Sequence, residues 1–369
     1  MAEETSTLQK NERRRNILIN IGIPLAAILL ALIIGAIILL ITGVNPLTAY
    51  GALARGAFGS AKYFQRTLEK TTPLIFSGLA VAFAFKAGLF NIGAQGQLLI
   101  GAITSAFLGF ALKGLPPALH IPIALLGGGL AGAFYGFIPG MLRSFTGAHE
   151  VIITIMLNYV AINLTDYLSD GPWKDTSPGN VIARTPLIEE SANIPFIGPV
   201  PVGFIIAILF AFIIWFITSR TNLGFEIRTV GLNPHAARYA GIRAKLIMVL
   251  AMVISGLLAG LGGAVETQGI VHRFQPGFNT GLGFDGITVA LLGRTNPLGV
   301  IPAALLIGAM KAGANVMQFD AKVAKEIIDI IQALMLFFVT AEMLFRWIFK
   351  ARKGVVEDQV TVTTSWGQK

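Results

Sequence analysis

Apolar runs about as long as a bilayer crossing recur along the whole chain, separated by short polar breaks. A helix needs about 20 apolar residues to cross the hydrocarbon core. The pattern predicts ten spans, roughly 17–42, 71–87, 89–112, 119–142, 149–169, 201–219, 246–269, 284–295, 297–318 and 326–349. The expected fold class is an all-α polytopic membrane protein of about ten transmembrane helices. The expected organisation is an N-terminal tail at 1–16, one membrane domain at 17–349 and a C-terminal tail at 350–369. An even number of crossings puts both tails on one side.

Two runs look broken. LFNIGAQGQ (89–97) places Asn91, Gln95, Gln97 and two glycines inside an apolar stretch. GLGFDGITVALLGRTNPLG (281–299) leaves a segment too short to cross alone. Irregular backbone at membrane depth survives only where protein or a cavity covers it. Paired broken segments in two halves of a chain mark pathways between inverted repeats. Ser77-Gly78-Leu79 and Ser255-Gly256-Leu257, on spans of opposite direction, each precede a break, so an inverted repeat with broken helices is one reading and chance in Gly-rich sequence is the other.

Composition supports the membrane reading: 54% of residues are hydrophobic, only 13% are charged, and Gly is abundant at 42, as suits closely packed helices in lipid. The net charge of +9 would suggest nucleic acid in a soluble protein. Here it is assigned to loops, because Lys and Arg gather on the cytoplasmic side; no nucleic-acid partner is expected. That rule puts both tails inside, with Lys10, Arg13, Arg14 and Arg15 before the first span and Arg346, Lys350, Arg352 and Lys353 around the end of the last. The first apolar run is too long for a signal-peptide core, and reads as an uncleaved span. Residues 43–70 fit the rule poorly, with Arg55, Lys62, Arg66 and Lys70 on the outer side, and read as an interfacial amphipathic helix.

The catalytic inventory is thin. The chain has no cysteine and its four histidines, His120, His149, His235 and His272, are scattered. It carries no HExxH, GxSxG or Walker A sequence, so no metal, cofactor or ATP site is expected, and the chain does not read as an enzyme. Charges inside or near spans are few: Glu266, Asp285, Lys311, Asp329 and Glu342. Glu266 and Asp285 are expected near span ends reached by water, and Lys311 deepest. Paired or end-of-span charge is favoured over a proton relay. Neutral polar residues are better placed: Asn91, Gln95 and Gln97 at the first break, and Asn158, Tyr159 and Asn163 on the fifth span. They suit a path for an uncharged, hydroxyl-rich or nucleobase-like solute, or else hydrogen bonds between helices.

Between two apolar runs lies a charged island, residues 219–245, with Arg220, Arg228, Arg238, Arg243 and Lys245 against one acid, Glu226. Asn233 suits an N-cap, Pro234 the first helical position and Gly241 the stop. The short helix so bounded carries Ala236, Ala237 and Ala240 on one face, small enough for a partner's groove to approach. Arg238 points elsewhere, toward acids or phosphates. A plain turn is the alternative.

HAARYAGI (235–242) resembles the EAA loop of ABC importer permeases, with His235 in place of the Glu and Ala236, Ala237 and Gly241 fitting. GLAVAFAFKAGLFNIGAQGQ (78–97), GAHEVIITIMLNYVAI (147–162), GLNPHAARYAGI through SGLLAGLGGA (231–264) and GFDGITVALLGRTNPLGVIPAALLIGAM (283–310) extend the likeness over most of the chain from about residue 43. They resemble the branched-chain amino acid, ribose and nucleoside permease family. FNIGAQGQ and EVIITIMLNY are most similar to its nucleoside members, of the type paired with basic-membrane-protein lipoproteins.

The resemblance implies a permease subunit of an ATP-driven importer in the bacterial cytoplasmic membrane, carrying nucleosides by alternating access. It implies a cytoplasmic ABC ATPase that docks at Asn233, His235, Ala236, Ala237, Arg238 and Gly241. A second permease subunit, as a different chain, and an extracytoplasmic substrate-binding lipoprotein would complete the complex. Simple sugars or branched-chain amino acids are alternative substrates. An ion-coupled secondary transporter is the alternative of a different class.

Overall fold

The structure, a computed structural model, describes residues 22, 25–277, 281–324 and 326–340. Both expected tails, the basic residues within and next to them, Glu342, and the outer ends of the first and last expected spans lie outside the described residues. Among the described residues the chain is mostly helical. The helices are α1 (Leu25–Ile41), α2 (Pro46–Phe58), α3 (Ala61–Lys86), α4 (Ala94–Ala111), α5 (Pro117–Met141), α6 (Glu150–Asp170), α7 (Val202–Arg220), α8 (Asn222–Leu232), α9 (Pro234–Tyr239), α10 (Ala244–Glu266), α11 (Leu282–Leu292), α12 (Pro297–Ala321) and α13 (Glu326–Thr340). α5 and α10 each run on through a π-helical turn, Leu142–Thr146 and Thr267–Val271.

Each expected span overlaps one helix. Seven are long and apolar enough to cross a membrane: α3, α4, α5, α6, α7, α10 and α12, with α5 and α10 counted through their π turns. α1 and α11 are shorter apolar helices.

Two expectations need correction. The second span begins at Ala61, ten residues before the expected edge at 71, because Ser60 caps it by accepting the Tyr63 N–H and nothing between 61 and 72 breaks a helix. The expected interfacial stretch 43–70 is therefore divided between α2 and the first turns of α3, which carry Lys62, Arg66 and Lys70. The break at 89–97 does not interrupt a span. It is the connection of α3 to α4 together with the first turn of α4.

The described chain falls into two compact units. One combines residues before 57 with residues after 312; in it Tyr50 donates to the Leu32 carbonyl at 2.7 Å and Arg55 pairs with Asp320 at 3.2 Å. The other, Ala57–Ala312 among the described residues, is built on α10, which packs against α3, α4 and α5.

Glycine makes that packing close. Gly128, Gly132 and Gly136 of α5 sit four apart and face Gly256 and Gly260 of α10. A Cβ on Gly132 would lie 2.7 Å from the Gly260 Cα, and one on Gly136 3.1 Å from the Gly256 Cα. Small residues at four-residue spacing let two backbones meet, which is how helices gain van der Waals contact where lipid competes equally for apolar surface.

At the end of this unit where α6 and α10 finish, residues 171–201 form an ordered loop with a small hairpin, β1 (Phe196–Ile197) paired antiparallel with β2 (Val200–Pro201). The loop is clasped to the segment after α10: Thr185 donates to the Phe274 carbonyl at 2.9 Å, Ile188 to His272 at 3.0 Å and Ile194 to Gln268 at 3.1 Å. Asp175 organises the tip, accepting the Ser177 N–H at 3.1 Å and its hydroxyl at 2.5 Å, with Arg184 at 3.4 Å. The Ser177 hydrogen bonds, with Arg184 and Arg273 adding to them, hold its carboxyl below the usual carboxylate range.

Candidate functional site

The polar residues at the first break are buried and bonded to one another. Asn91, 1% exposed, donates to Gln97 Oε1 and to Ser255 Oγ, both at 2.8 Å. Ser255 in turn donates to the Ala80 carbonyl at 2.6 Å, joining α3 to α10 through the break. Asn158 Oδ1 accepts the Gly96 N–H at 2.8 Å, and its amide donates to the Ile92 carbonyl at 3.0 Å. Gln95 Oε1 accepts the Gly283 N–H at 2.8 Å.

These bonds have a common logic. The first N–H groups of a helix lack intrahelical partners. α4 and α11 begin at Gly93 and Gly281, neither of which offers a side-chain cap. Asn158 supplies the missing acceptor to α4 and Gln95 supplies it to α11, each from another helix. The two broken segments therefore meet: a Cβ on Gly283 would fall on the backbone of Ala94 and Gln95. Ser255 lies halfway along α10, so the junction sits deep in the bundle rather than at its end.

The fifth-span candidates divide. Asn158 shares the buried face of α6 with Thr154, Ala161, Thr165 and Ser169. Tyr159, 61% exposed, and Asn163 lie on the opposite, exposed face, where the Asn163 amide donates back to the Tyr159 carbonyl at 2.7 Å. Asn158 and Asn163 are five residues apart, about 500° of helical turn, so they fall on different faces. Ser255, Ile92 and Gly283 complete the junction without having been nominated as site residues. The sequence signal for Ser255 was the Ser-Gly-Leu match at 77–79 and 255–257, and Ile92 and Gly283 lie within the two broken runs.

The intramembrane charges agree with the favoured paired reading at Lys311 and Asp285 and differ from expectation in how far water reaches Asp285 and Glu266. Lys311 pairs with Asp285 at 2.9 Å, both side chains being mostly covered, so Asp285 is no water-exposed end residue. It stands in the first turn of α11, where a carboxylate suits the helix dipole. Glu266 is also not reached by water. It is 2% exposed, and its Oε2 has no hydrogen-bond partner. The apolar run does not end there, because the chain coils on through the π turn to Val271.

The charged island folds as two helices rather than one. Thr221 caps α8 by accepting the Gly224 N–H, and Asn233 caps α9 by accepting the N–H groups of His235 and Ala236 at 2.9 and 3.1 Å. Gly241 takes φ +81°, the left-handed conformation expected of the stop. α9 rests on α8 and α10. Ala237 makes that contact and is fully buried, so the expected small face of Ala236, Ala237 and Ala240 is not an exposed surface as a whole. Six helical residues on two supports must bury one side, and Ala237 is on it. His235, Ala236, Arg238, Ala240 and Gly241 are exposed, and Tyr239 is 95% exposed.

Comparison with known proteins agrees with this architecture. The chain is 42% identical over 335 residues to the guanosine ABC transporter permease protein NupP of Bacillus subtilis (strain 168), covering 88% of this chain and 94% of that protein. It is 38% identical over 361 residues to the nucleoside ABC transporter permease protein NupB of Lactococcus lactis subsp. cremoris (strain MG1363), covering 95% and 98%. With the glucose ABC transporter permease protein TsgB13 of Haloferax volcanii it shares 34% identity over 351 residues, covering 92% and 91%. Residues 63–340 match the model of one family, and the chain belongs to that family, the permease component of the branched-chain amino acid transport system.

Proposed function

We propose that this chain is the membrane subunit of an ATP-driven importer of nucleosides. The observation that carries the substrate is the extended likeness to a guanosine permease and a nucleoside permease, each aligned over almost its whole length. The complex holds a cytoplasmic ABC ATPase, a second permease subunit of a different sequence and an extracytoplasmic binding lipoprotein, in the cytoplasmic membrane of a bacterium. The chain crosses ten times, with α1, α11 and α13 completing the seven long helices and with both tails and the loop around α9 in the cytoplasm. One membrane domain spans 17–349, and the polar breaks that lead into α4 and α11 belong to corresponding halves of an inverted repeat.

ATP closes the ATPase pair, the closure pushes on α9 and the bundle opens alternately to either side. His235, Ala236, Arg238, Tyr239 and Gly241 form the docking surface; Asn233 and Ala237 hold it in shape. Asn91, Gln95, Gln97 and Asn158 set the backbone at the junction of α4 and α11, beside the path, while Tyr159 and Asn163 face the solute from α6. An amide network that can exchange partners suits a neutral solute and needs no ion.

Uptake of labelled guanosine or adenosine by cells expressing the complex, competed with ribose, galactose and leucine, tests this reading. Nucleosides are expected to compete and the others not. Competition by ribose, galactose or leucine with none by nucleosides overturns it in favour of a sugar or amino acid, and transport by the chain alone without ATP overturns the ABC reading altogether.

A further inference from the structure

α6 is hydrophobic enough to cross a membrane, yet over its second half the exposed side carries polar and aromatic residues between the aliphatic Val160, Ile162 and Leu164. Tyr159, Asn163, Asp166 and Asp170 follow one another at spacings of three or four residues and so form one stripe along the helix, with Tyr167 beside Asp166 at its edge, four residues after Asn163. It lies opposite the buried row Thr154, Asn158, Ala161, Thr165 and Ser169, which packs on α4. Tyr159 and Tyr167 are 61% and 68% exposed.

At its far end the stripe opens into a cavity of about 470 Å³ lined by Asp166, Tyr167, Asp170, Gly171, Ala183 and Pro276. Asp170 is paired with Lys174 at 2.7 Å, whereas the Asp166 carboxylate has no side-chain partner among the described residues. α7 shows what a lipid face looks like in the same unit: its exposed large side chains are Ile205, Leu209, Phe212, Ile213 and Phe216. A carboxylate turned to hydrocarbon is costly, and such groups face water or protein.

We propose that this stripe is a binding wall for the nucleoside on the outer half of its path, facing water between this chain and the second permease subunit. The proposal rests on the nucleoside reading above and adds the residues and their roles. Tyr159 and Tyr167 offer flat, two-sided aromatic surface for a base. Asn163, between them, presents both a donor and an acceptor to the base edge. Asp166, at the mouth, accepts hydrogen bonds from ribose hydroxyls and disfavours anionic solutes such as nucleotides. A solute entering from the cavity then meets acid, aromatic, amide and aromatic in turn.

The chain contains no cysteine, so single thiols can be placed in the natural sequence. Asn163→Cys and Tyr167→Cys would be compared with Leu209→Cys and Leu130→Cys, in the assembled complex in proteoliposomes, using a charged, membrane-impermeant thiol reagent. Thiolate forms in water and not in lipid, so the stripe is expected to react at least about tenfold faster than the two controls. Guanosine or adenosine is expected to slow the stripe reaction and leave the controls unchanged. Asn163→Leu is expected to raise the KM for guanosine by about 3- to 10-fold, the worth of a hydrogen bond or two, with smaller change in abundance.

Stripe thiols that react as slowly as Leu209→Cys overturn the wall. Stripe thiols that react fast but are not protected, in a complex that does take up guanosine, overturn the nucleoside role of these residues. Failure of the unmodified complex to take up any nucleoside is a different result, and it overturns the substrate reading itself while the reactivity pattern still decides the wall.

Discussion

Gln95 Oε1 accepts the Gly283 N–H at 2.8 Å, joining the second residue of α4 to the second residue of α11 across 188 positions of sequence. Each helix starts at a glycine with no cap of its own, and each is capped by an amide from elsewhere in the fold. The junction is therefore a place where the fold depends on side chains that look, in the sequence, like solute contacts.

Gln95→Leu should leave the Gly283 N–H buried and unbonded. The expected loss is about 1–3 kcal/mol, read as a lower thermal unfolding midpoint of the detergent-purified complex. Equal midpoints for Gln95→Leu and the unmodified chain would show that the bond contributes nothing.

Gly132→Val places two methyl groups where the Gly260 backbone runs, so α5 and α10 must separate. Overpacking of a close contact costs about 1–3 kcal/mol, and the expected result is lower abundance in the membrane. Gly198→Ala, at a turn where an added Cβ meets nothing but φ is +59°, is the comparison and should cost less.

Ala237→Asp and Ala236→Asp should differ although the residues are neighbours. A polar group forced into the buried site costs about 2–7 kcal/mol without a partner, so Ala237→Asp is expected to lower abundance by disordering α9. Ala236→Asp and Tyr239→Ala alter only the exposed surface. They are expected to keep abundance and lose co-purification of the ATPase, and normal co-purification with both would remove the docking role of this surface.

His272 joins the loop clasp through its carbonyl, and burial pushes its imidazole below the ordinary value of 6.5. The fold thus prefers the neutral ring, and the unfolded segment binds a proton more readily than the folded one. The clasp is expected to hold fully above pH 6.5 and to weaken as pH falls below it. Hydrogen exchange of residues 185–194 should quicken in that window. His272→Asn, which tolerates the residue's φ of +57°, should abolish the pH dependence.

Much of this protein was legible in its sequence because the relevant signals are local. Long apolar runs must become helices in lipid, where an unpaired backbone group has no water to bond, and every expected span overlaps a helix. Asn233, Pro234 and Gly241 act within a few residues of one another, so the bounds of α9 followed from residue type alone. The family likeness was readable for the same reason, in contiguous strings such as FNIGAQGQ.

What only the tertiary structure decided is which face of each element is covered. Asn158 turns into the bundle and Asn163 out of it, although both are amides on one helix, because α4 occupies one side of α6 and nothing in the described chain occupies the other. Ala237 is buried and Ala236 exposed because α8 and α10 lie beneath α9. Gln95 meets Gly283, and Lys311 meets Asp285, through partners that no spacing rule connects. Burial and pairing are properties of neighbours in space, and in a bundle whose closest contacts run through glycine backbones the sequence at one position says little about which neighbour arrives there.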